Sequence, residues 1–194
     1  MIMVMTFFII LLVSIAGCSS QSPSASPEAV TKLSTIEPSQ MALQSAEIPA
    51  NFTLFEKGER LSSELSDWAL DHGWKKGYYS IFLKNDPGSP SVTVIEQYIS
   101  VYPAQNISLI VPDDINNVKN WSTKENNISV DDLTIVTIGD SSSALRVSNK
   151  TDNTQEYIIA FVKNDVYQNF YTNGTQTDYE TLKQLATIAA AKIT

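Results

Sequence analysis

The chain of 194 residues contains a single cysteine, Cys18, and a single histidine, His72. A disulfide needs two thiols, so the chain cannot form an internal disulfide bridge. Zinc sites use cysteine and histidine as their main ligands, so the usual zinc sites are excluded as well. We therefore expect a domain without a cofactor or metal that is held together by packing alone.

Basic residues are few. Lys and Arg number 13 against 21 Asp and Glu, which gives a formal net charge of −8. The longest basic run is Lys75-Lys76, whereas nucleic-acid binding requires a basic patch. The sequence therefore excludes nucleic acid as a partner. The acidic balance also argues against docking on an anionic lipid surface beyond a covalent anchor.

A long hydrophobic run is absent too. Residues 4–15 are apolar, but they are fewer than the roughly 18–20 residues of a membrane-spanning helix and have the length found in secretory signals. The stretch ends in Ile15-Ala16-Gly17-Cys18, a pattern that resembles the lipoprotein signal (lipobox) family. The resemblance implies that residues 1–17 are a signal peptide, and that Cys18 is lipidated and becomes the mature N-terminus.

The first residues depart from this pattern, because residues 1–6 contain no Lys or Arg. Secretory signals usually begin with positive charge. Either the true start lies upstream, or the host is an archaeon with a looser requirement; an uncleaved N-terminal anchor is a further alternative. We expect a protein at the cell membrane, lipid-anchored on the extracytoplasmic face.

Residues 18–40 are rich in Ser, Thr, Pro and Ala. Such a segment buries too little apolar surface to offset chain entropy. We expect a disordered tether that holds the folded part, residues 41–194, away from the lipid headgroups. That length suits a single domain with a sizeable core.

Six Asn-x-Ser/Thr sites agree with an exported, glycosylated surface protein, although coincidence of composition is the alternative interpretation. The six acceptors are Asn51, Asn106, Asn120, Asn127, Asn149 and Asn173.

Three segments predict helices by the spacing of their apolar residues. The first starts at Ser62 or Ser63 and stops at Gly73, with a face made of Leu61, Leu65, Trp68, Ala69 and His72. The second covers residues 112–124, with Pro112 at the first helical position and a stripe of Ile115, Val118 and Trp121. The third opens with the capping box Thr177-Asp178-Tyr179-Glu180 and carries Leu182, Leu185, Ala186, Ala189 and Ile193 on one side.

Strands are predicted between these helices. Residues 77–84 and 91–102 flank a turn-rich loop and read as a hairpin. A second set covers residues 133–138, 143–148, 156–163 and 166–172, joined by turns at residues 139–140, 149–153 and 164–165. Short turns between neighbours indicate antiparallel pairing. The sequence thus predicts an α+β fold, an antiparallel sheet of about six strands with two or three helices packed on it.

The order of these elements carries a second resemblance. Helix, hairpin and helix are followed by Ile138-Gly139-Asp140-Ser141-Ser142-Ser143-Ala144, a hairpin between Tyr157 and Phe170, and a last helix ending at Lys192-Ile193. Over about residues 52–193 this resembles PsbP/Mog1-like small lipoproteins. The resemblance implies a mostly non-enzymatic domain in which an antiparallel sheet lies between helices.

One segment resembles a catalytic motif. Gly139-Asp140-Ser141 follows the apolar run 133–138, like the nucleophile block of GDS-type esterases. A serine hydrolase needs a histidine as general base. That family places its Asp-x-x-His late in the chain, whereas His72 lies upstream and no histidine follows Ser141. A Gly-Asp turn between strands is the simpler interpretation, and an extracytoplasmic hydrolase using Ser141 and His72 is the alternative function.

Two acidic pairs, Asp113-Asp114 and Asp131-Asp132, offer oxygen ligands for calcium. Neither lies in a loop with the Asp-x-Asp-x-Asp-Gly spacing of a calcium site. The first pair suits the start of a helix, where the dipole favours negative charge, and the second suits a turn. The sequence predicts no metal site.

Trp74, Tyr78 and Tyr79 follow the stop of the first predicted helix. Aromatic residues on loops suit sugar or protein contacts, and core packing is the alternative interpretation. We assign these three as candidate ligand contacts. The predicted function is a non-enzymatic, lipid-anchored domain that binds an envelope protein, a glycan or a small ligand; an accessory subunit of a membrane complex is a further alternative.

Overall fold

The computed structural model describes residues 32–85, 92–174, 176 and 178–194, so the predicted signal peptide and Cys18 lie outside the described residues. The described part contains one seven-stranded sheet and four α-helices. The strands are β1 (Thr53–Glu59), β2 (Lys76–Asn85), β3 (Val92–Val101), β4 (Ile128–Leu133), β5 (Ser141–Asn149), β6 (Thr154–Lys163) and β7 (Val166–Gly174). The helices are α1 (Pro38–Met41), α2 (Asp67–Asp71), α3 (Ile107–Ser122) and α4 (Tyr179–Ala191).

All neighbouring strands run antiparallel, in the order β1-β2-β3-β7-β6-β5-β4. The chain lays down β1 to β3, crosses through α3 to the far edge, and returns through β5 and β6 to β7, which pairs with β3. The antiparallel sheet with helices packed on it confirms the α+β prediction. The strand count is seven rather than about six.

The two faces of the sheet pack against different helices, because successive side chains of a strand point to opposite sides. On one side, the α4 face, α1 and α4 bury a cluster that includes Met41, Phe161 and Leu182. On the other side, the α3 face, α3 packs against β4 to β7 and buries a cluster that includes Ile110 and Tyr167.

The last helix forms as the sequence predicts. Its buried residues are Leu182, Leu185, Ala186, Ala189 and Ala190, and Ile193 is buried just beyond its end. The N-cap is Asp178, whose carboxylate accepts from the backbone N–H groups of Glu180 (3.2 Å) and Thr181 (3.1 Å). The predicted capping box placed Thr177 at the cap; the cap is one residue later, and Thr177 lies outside the described residues.

The sequence predicts the start of the second helix five residues too late. α3 starts at Ile107, and Pro112 lies inside it rather than at its first position. An internal proline removes one backbone hydrogen bond. The segment is nevertheless helical, and the burial of Ile107, Ile110 and Val111 against the sheet favours that conformation. Of the predicted stripe, Ile115 is buried, whereas Trp121 is 53% exposed.

The predicted strand 133–138 is wrong, because the strand at this edge is β4, which ends at Leu133. Beyond it the chain leaves the ladder. Ile135 and Ile138 pack into the cluster of the α4 face, and the Ile138 N–H donates to Ser142 Oγ at 3.0 Å. The apolar run is therefore explained by core packing without strand pairing.

The first predicted helix is divided into a 3₁₀ turn, Ser62–Glu64, and the short α2, which begins after Ser66. Leu61, assigned to its apolar face, is 58% exposed. The predicted stop is confirmed, since Gly73 adopts φ +80° and a Cβ there would meet Pro103.

The end of the predicted tether belongs to the folded part. Pro38 and Met41 of α1 are buried, and the Ser34 N–H donates to Asp165 Oδ1 at 2.7 Å. The prediction of disorder up to residue 40 is thus wrong for Ser34 and Pro38, and Ile36 packs against the cluster of the α4 face. Across the described residues, no helix is both long and apolar enough to span a membrane.

Candidate ligand-binding groove

The α3 face carries a groove of about 450 Å³, here called the sheet groove. Its lining is mainly polar and aromatic, and consists of Arg60, Val94, Glu96, Tyr98, Glu156, Asn169, Tyr171 and Asn173. α3 packs over β4 to β7, whereas most of the lining comes from β3 and the neighbouring end of β7. The groove is therefore a part of the α3 face that α3 does not cover.

Strand register brings these residues together. Alternate residues of β3 and β7 point to the same face. From one end of the groove to the other, the opposed pairs are Tyr98 and Asn169, Glu96 and Tyr171, and Val94 and Asn173, with Glu156 of β6 opposite Asn173. Arg60 follows directly after β1 and reaches the groove from the rim.

Tyr98 is held by four neighbours at the first end of the groove. Its hydroxyl donates to Glu96 Oε2 at 2.7 Å, and the Arg60 guanidinium lies 5.0 Å from its ring centroid. Tyr79 stacks beside it and Tyr171 meets it edge-on, with ring centroids 6.4 and 6.0 Å away. Burial, followed by the hydrogen bond to Glu96, raises the pKa of Tyr98, so its hydroxyl stays a donor at neutral pH.

Glu156 lies at the second end of the groove. Burial raises the pKa of its carboxyl group, and the negative charge of Glu96 adds to this effect. No described residue forms a hydrogen bond or ion pair with the Glu156 side chain. Its carboxylate is therefore available to a ligand.

Asn169 provides an unsatisfied acceptor in the groove. The side chain is only 9% exposed, and its Nδ2 donates to Tyr171 Oη at 2.8 Å. Its Oδ1 is buried with no hydrogen-bond partner among the described residues. Leaving a buried polar atom unpaired costs about 1–3 kcal/mol.

The structure does not bring the three predicted ligand residues together. Trp74 and Tyr78 line a different cavity of about 520 Å³. Tyr79 points to the opposite side of β2, where its hydroxyl donates to Glu56 Oε1 at 2.6 Å. The reason is the strand alternation, which sends Tyr78 and Tyr79 to opposite faces.

Trp74 and Lys76, two polar residues of this second cavity, already have partners, whereas the Glu156 carboxylate of the sheet groove has none among the described residues. Trp74 Nε1 donates to Ser100 Oγ at 3.2 Å, and Lys76 pairs with Glu37 at 2.7 Å across the cavity. For this reason the sheet groove is the better candidate.

His72 and Ser141, the residues of the alternative hydrolase, are not brought together as a catalytic pair. The ring nitrogens of His72 lie 2.8 Å from the Trp68 carbonyl oxygen and 3.0 Å from Asp113 Oδ2. Ser141 is an exposed first residue of β5, and the preceding Asp140 accepts from the Asn164 N–H at 2.7 Å. This geometry pairs neither ring nitrogen with Ser141, and it gives the Gly-Asp turn a structural role between strands.

Both acidic pairs considered for calcium are divided among separate partners. Asp113 contacts His72, and Asp114 accepts from Tyr167 Oη at 2.6 Å. Asp131 pairs with Arg146 at 2.8 Å and Asp132 with Lys119 at 2.6 Å. Within the described ranges, no group of three or more His, Cys, Asp or Glu side chains is placed to hold a metal ion.

The six sequon asparagines differ in exposure. The exposed ones are Asn51, Asn120, Asn127 and Asn173. Asn106 is partly buried and donates through Nδ2 to the His72 carbonyl oxygen at 2.9 Å, and the Asn149 Oδ1 accepts from the Thr151 N–H at 2.9 Å. Asn173 also lines the sheet groove.

Sequence reasoning missed most of the groove. It singled out Asn173 only as a sequon, and it gave Glu96, Glu156 and Asn169 no role. One signal was present in the sequence: Asn169, Tyr171 and Asn173 alternate with the core residues of β7, so a polar row runs along one face of a central strand.

The fold and the groove together describe an α+β domain that offers a polar and aromatic concavity on an antiparallel sheet. No family model and no curated protein matches the chain. Among solved structures, the chain is similar to the crystal structure of the extracellular domain of PknH from Mycobacterium tuberculosis. The identity is 13% and the TM-score 0.60, over 79% of this chain and 93% of that domain. This likeness shows a shared fold, which does not by itself define a function.

Proposed function

We propose that this protein is a lipid-anchored, extracytoplasmic binding domain without enzymatic activity, and that the sheet groove is its ligand site. The observation that carries the proposal is the groove itself, which combines volume with unsatisfied polar groups. Ligand sites are typically concavities of this kind, with aromatic walls and a few convergent polar atoms.

The location is supported by two independent features. The lipobox pattern ending at Cys18 indicates export and lipid attachment, and the similar PknH structure is described as an extracellular domain. A folded unit on a polar tether can present its groove to small molecules or partners outside the membrane.

The binding role can be tested by filling the groove. Val94 is half-buried in its lining, so Val94→Trp places an indole where a ligand would lie. The full chain is screened by saturation-transfer NMR against a defined library of sugars, amino acids, amines and organic acids. We expect at least one compound that contacts the wild-type protein and loses more than about 90% of its signal with Val94→Trp, since an indole takes much of a cavity of this size.

Val136→Trp is the matched control, because Val136 is 83% exposed and does not line the groove. It should keep the wild-type signals. Circular dichroism of both variants verifies that they fold. A library without any contact, or contacts that Val94→Trp leaves unchanged, would refute the proposal.

A further inference from the structure

The sheet groove has an excess of negative charge. It contains two carboxylates, Glu96 and Glu156, and one cation, Arg60. Arg60 lies over the Tyr98 ring at the first end, and no ion pair joins it to either carboxylate in the described structure. The carboxylates therefore face the groove without a neutralising partner.

The two carboxylates lie on opposite sides of β7. Glu96 is on β3 and Glu156 is on β6, and both strands pair with β7. Tyr171 and Asn173 of β7 thus lie between them. Burial raises the pKa of Glu156, and repulsion by the negative charge of Glu96 adds to this effect. A cation placed between the two carboxylates would offset their mutual repulsion.

We propose that the sheet groove binds the ammonium group of a small organic cation between Glu96 and Glu156, beside Tyr171 and Asn173. This inference rests on the proposed function and names the ligand class. Ammonium N–H groups are donors only, and they match the carboxylates of Glu96 and Glu156, which are acceptors.

Aromatic residues favour an organic cation over a bare metal ion. The rings of Tyr98 and Tyr171 line the groove, and aromatic faces attract ammonium and guanidinium groups. The contact between Arg60 and Tyr98 is an example within the protein. A volume of about 450 Å³ also exceeds the needs of one ion and leaves room for an organic body.

Charge in the groove also restricts the rest of the ligand. Arg60 lies near the pair of Tyr98 and Asn169, whereas Glu156 lies at the pair of Val94 and Asn173. A second cation at the Arg60 end would be repelled. We therefore expect a ligand with one ammonium group and a neutral or anionic remainder.

Three probes of similar size test this inference: benzylamine, benzyl alcohol and benzoate. Each is titrated into the full chain by isothermal calorimetry at neutral pH. We expect benzylamine to bind, and the other two to bind at least ten-fold more weakly. Glu156→Gln and Glu96→Gln should each weaken benzylamine binding by about ten-fold or more, because each removes a charge-assisted contact.

Glu125→Gln is the matched control, since Glu125 is exposed and does not line the groove; its affinity for benzylamine should equal that of the wild type. Thermal unfolding of each variant verifies folding, and Glu96→Gln retains an acceptor for the Tyr98 hydroxyl. Calcium chloride and methyl glucoside are titrated in parallel.

Several outcomes overturn the inference. Benzyl alcohol or benzoate binding as tightly as benzylamine would show that charge is not what the groove selects. If calcium or methyl glucoside binds and this binding depends on Glu156, the groove is a metal site or a sugar site instead. The absence of any heat of binding with benzylamine also overturns the inference. In each case the proposed function still stands if the library screen finds a compound that Val94→Trp displaces.

Discussion

At the scale of single residues, the burial of Asp114 affects the stability of the fold. It lies in α3 and accepts a hydrogen bond from Tyr167 Oη at 2.6 Å. Burial raises the pKa of Asp114, and the Tyr167 hydrogen bond lowers it only in part. The ionised form is therefore less favourable in the folded chain than in the unfolded chain.

The raised pKa of Asp114 determines how the stability of the fold changes with pH. A carboxyl group whose pKa is raised by folding stabilises the fold below its unfolded pKa, and this contribution is lost as pH rises through the folded pKa. Asp114→Asn removes the ionisation and keeps an acceptor for Tyr167. We expect a higher unfolding temperature than wild type at pH 7, and a difference that shrinks as pH falls toward 4, measured by thermal unfolding monitored by circular dichroism.

Asp71→Asn serves as the comparison, because Asp71 is an exposed aspartate at the end of α2. It should change the unfolding temperature by little at any pH in this range. A lower stability of Asp114→Asn at pH 7 would mean that the charge of Asp114 helps to hold α3 and that its burial is not a net cost.

At the scale of elements, the segment before β1 is bound tightly to the α4 face. The Leu43 N–H donates to the buried Gln97 Oε1 at 2.8 Å, and Lys192 beyond α4 reaches the Ala42 carbonyl oxygen and Glu47 Oε2 at 2.8 and 2.6 Å. Met41 is fully buried among them. The segment thus completes the core rather than only leading into it.

Met41→Ala tests this packing. Truncating a fully buried methionine leaves a cavity and costs about 2–5 kcal/mol. We expect a loss of that size in the free energy of unfolding, measured by urea denaturation. Ser39→Ala, an exposed change in the same α1 turn, should cost little. Equal losses in the two variants would show that α1 is not docked in solution.

The elements that could be predicted from the sequence are those with a strong period and a local partner. β2 and β3 alternate clearly and are separated by a short segment rich in turn-forming residues. β6 and β7 also alternate and are joined by a short turn, and α4 has both a cap and an apolar face. β1 was missed because its residues are almost all exposed and show no alternation of burial. The sequence predicts Pro112 as the start of α3, because the burial that keeps the preceding turn helical depends on distant strands.

The sheet groove could not be predicted for a related reason. Its floor requires the register of β3 with β7, two strands far apart in the chain, and β7 reaches β3 only after the crossover through α3. Local periodicity does not contain that pairing. The residues that the sequence favours for binding, Tyr78 and Tyr79, are adjacent in the chain and for that reason lie on opposite faces.

At the scale of the whole molecule, the two faces of the sheet are covered unequally. The α4 face is closed by α4 together with the segment around α1, whereas α3 covers the other face over β4 to β7. The polar groups that have no partner in the groove, the Asn169 Oδ1 and the Glu156 carboxylate, lie in the uncovered part. Under the proposed function, core packing and ligand binding would use different regions of one sheet.

The proposed lipid anchor would use the single thiol of the chain, Cys18, so the anchor can be tested by counting thiols. A lipidated Cys18 cannot react with a maleimide. Full-length protein extracted from membranes and denatured should therefore take up no label, and its intact mass should equal residues 18–194 plus the lipid. Ser20→Cys, which adds a thiol outside the lipobox pattern, should take up one label and show the same processing. A wild-type chain that takes up one label and retains residues 1–17 would instead establish an uncleaved N-terminal anchor with a free Cys18.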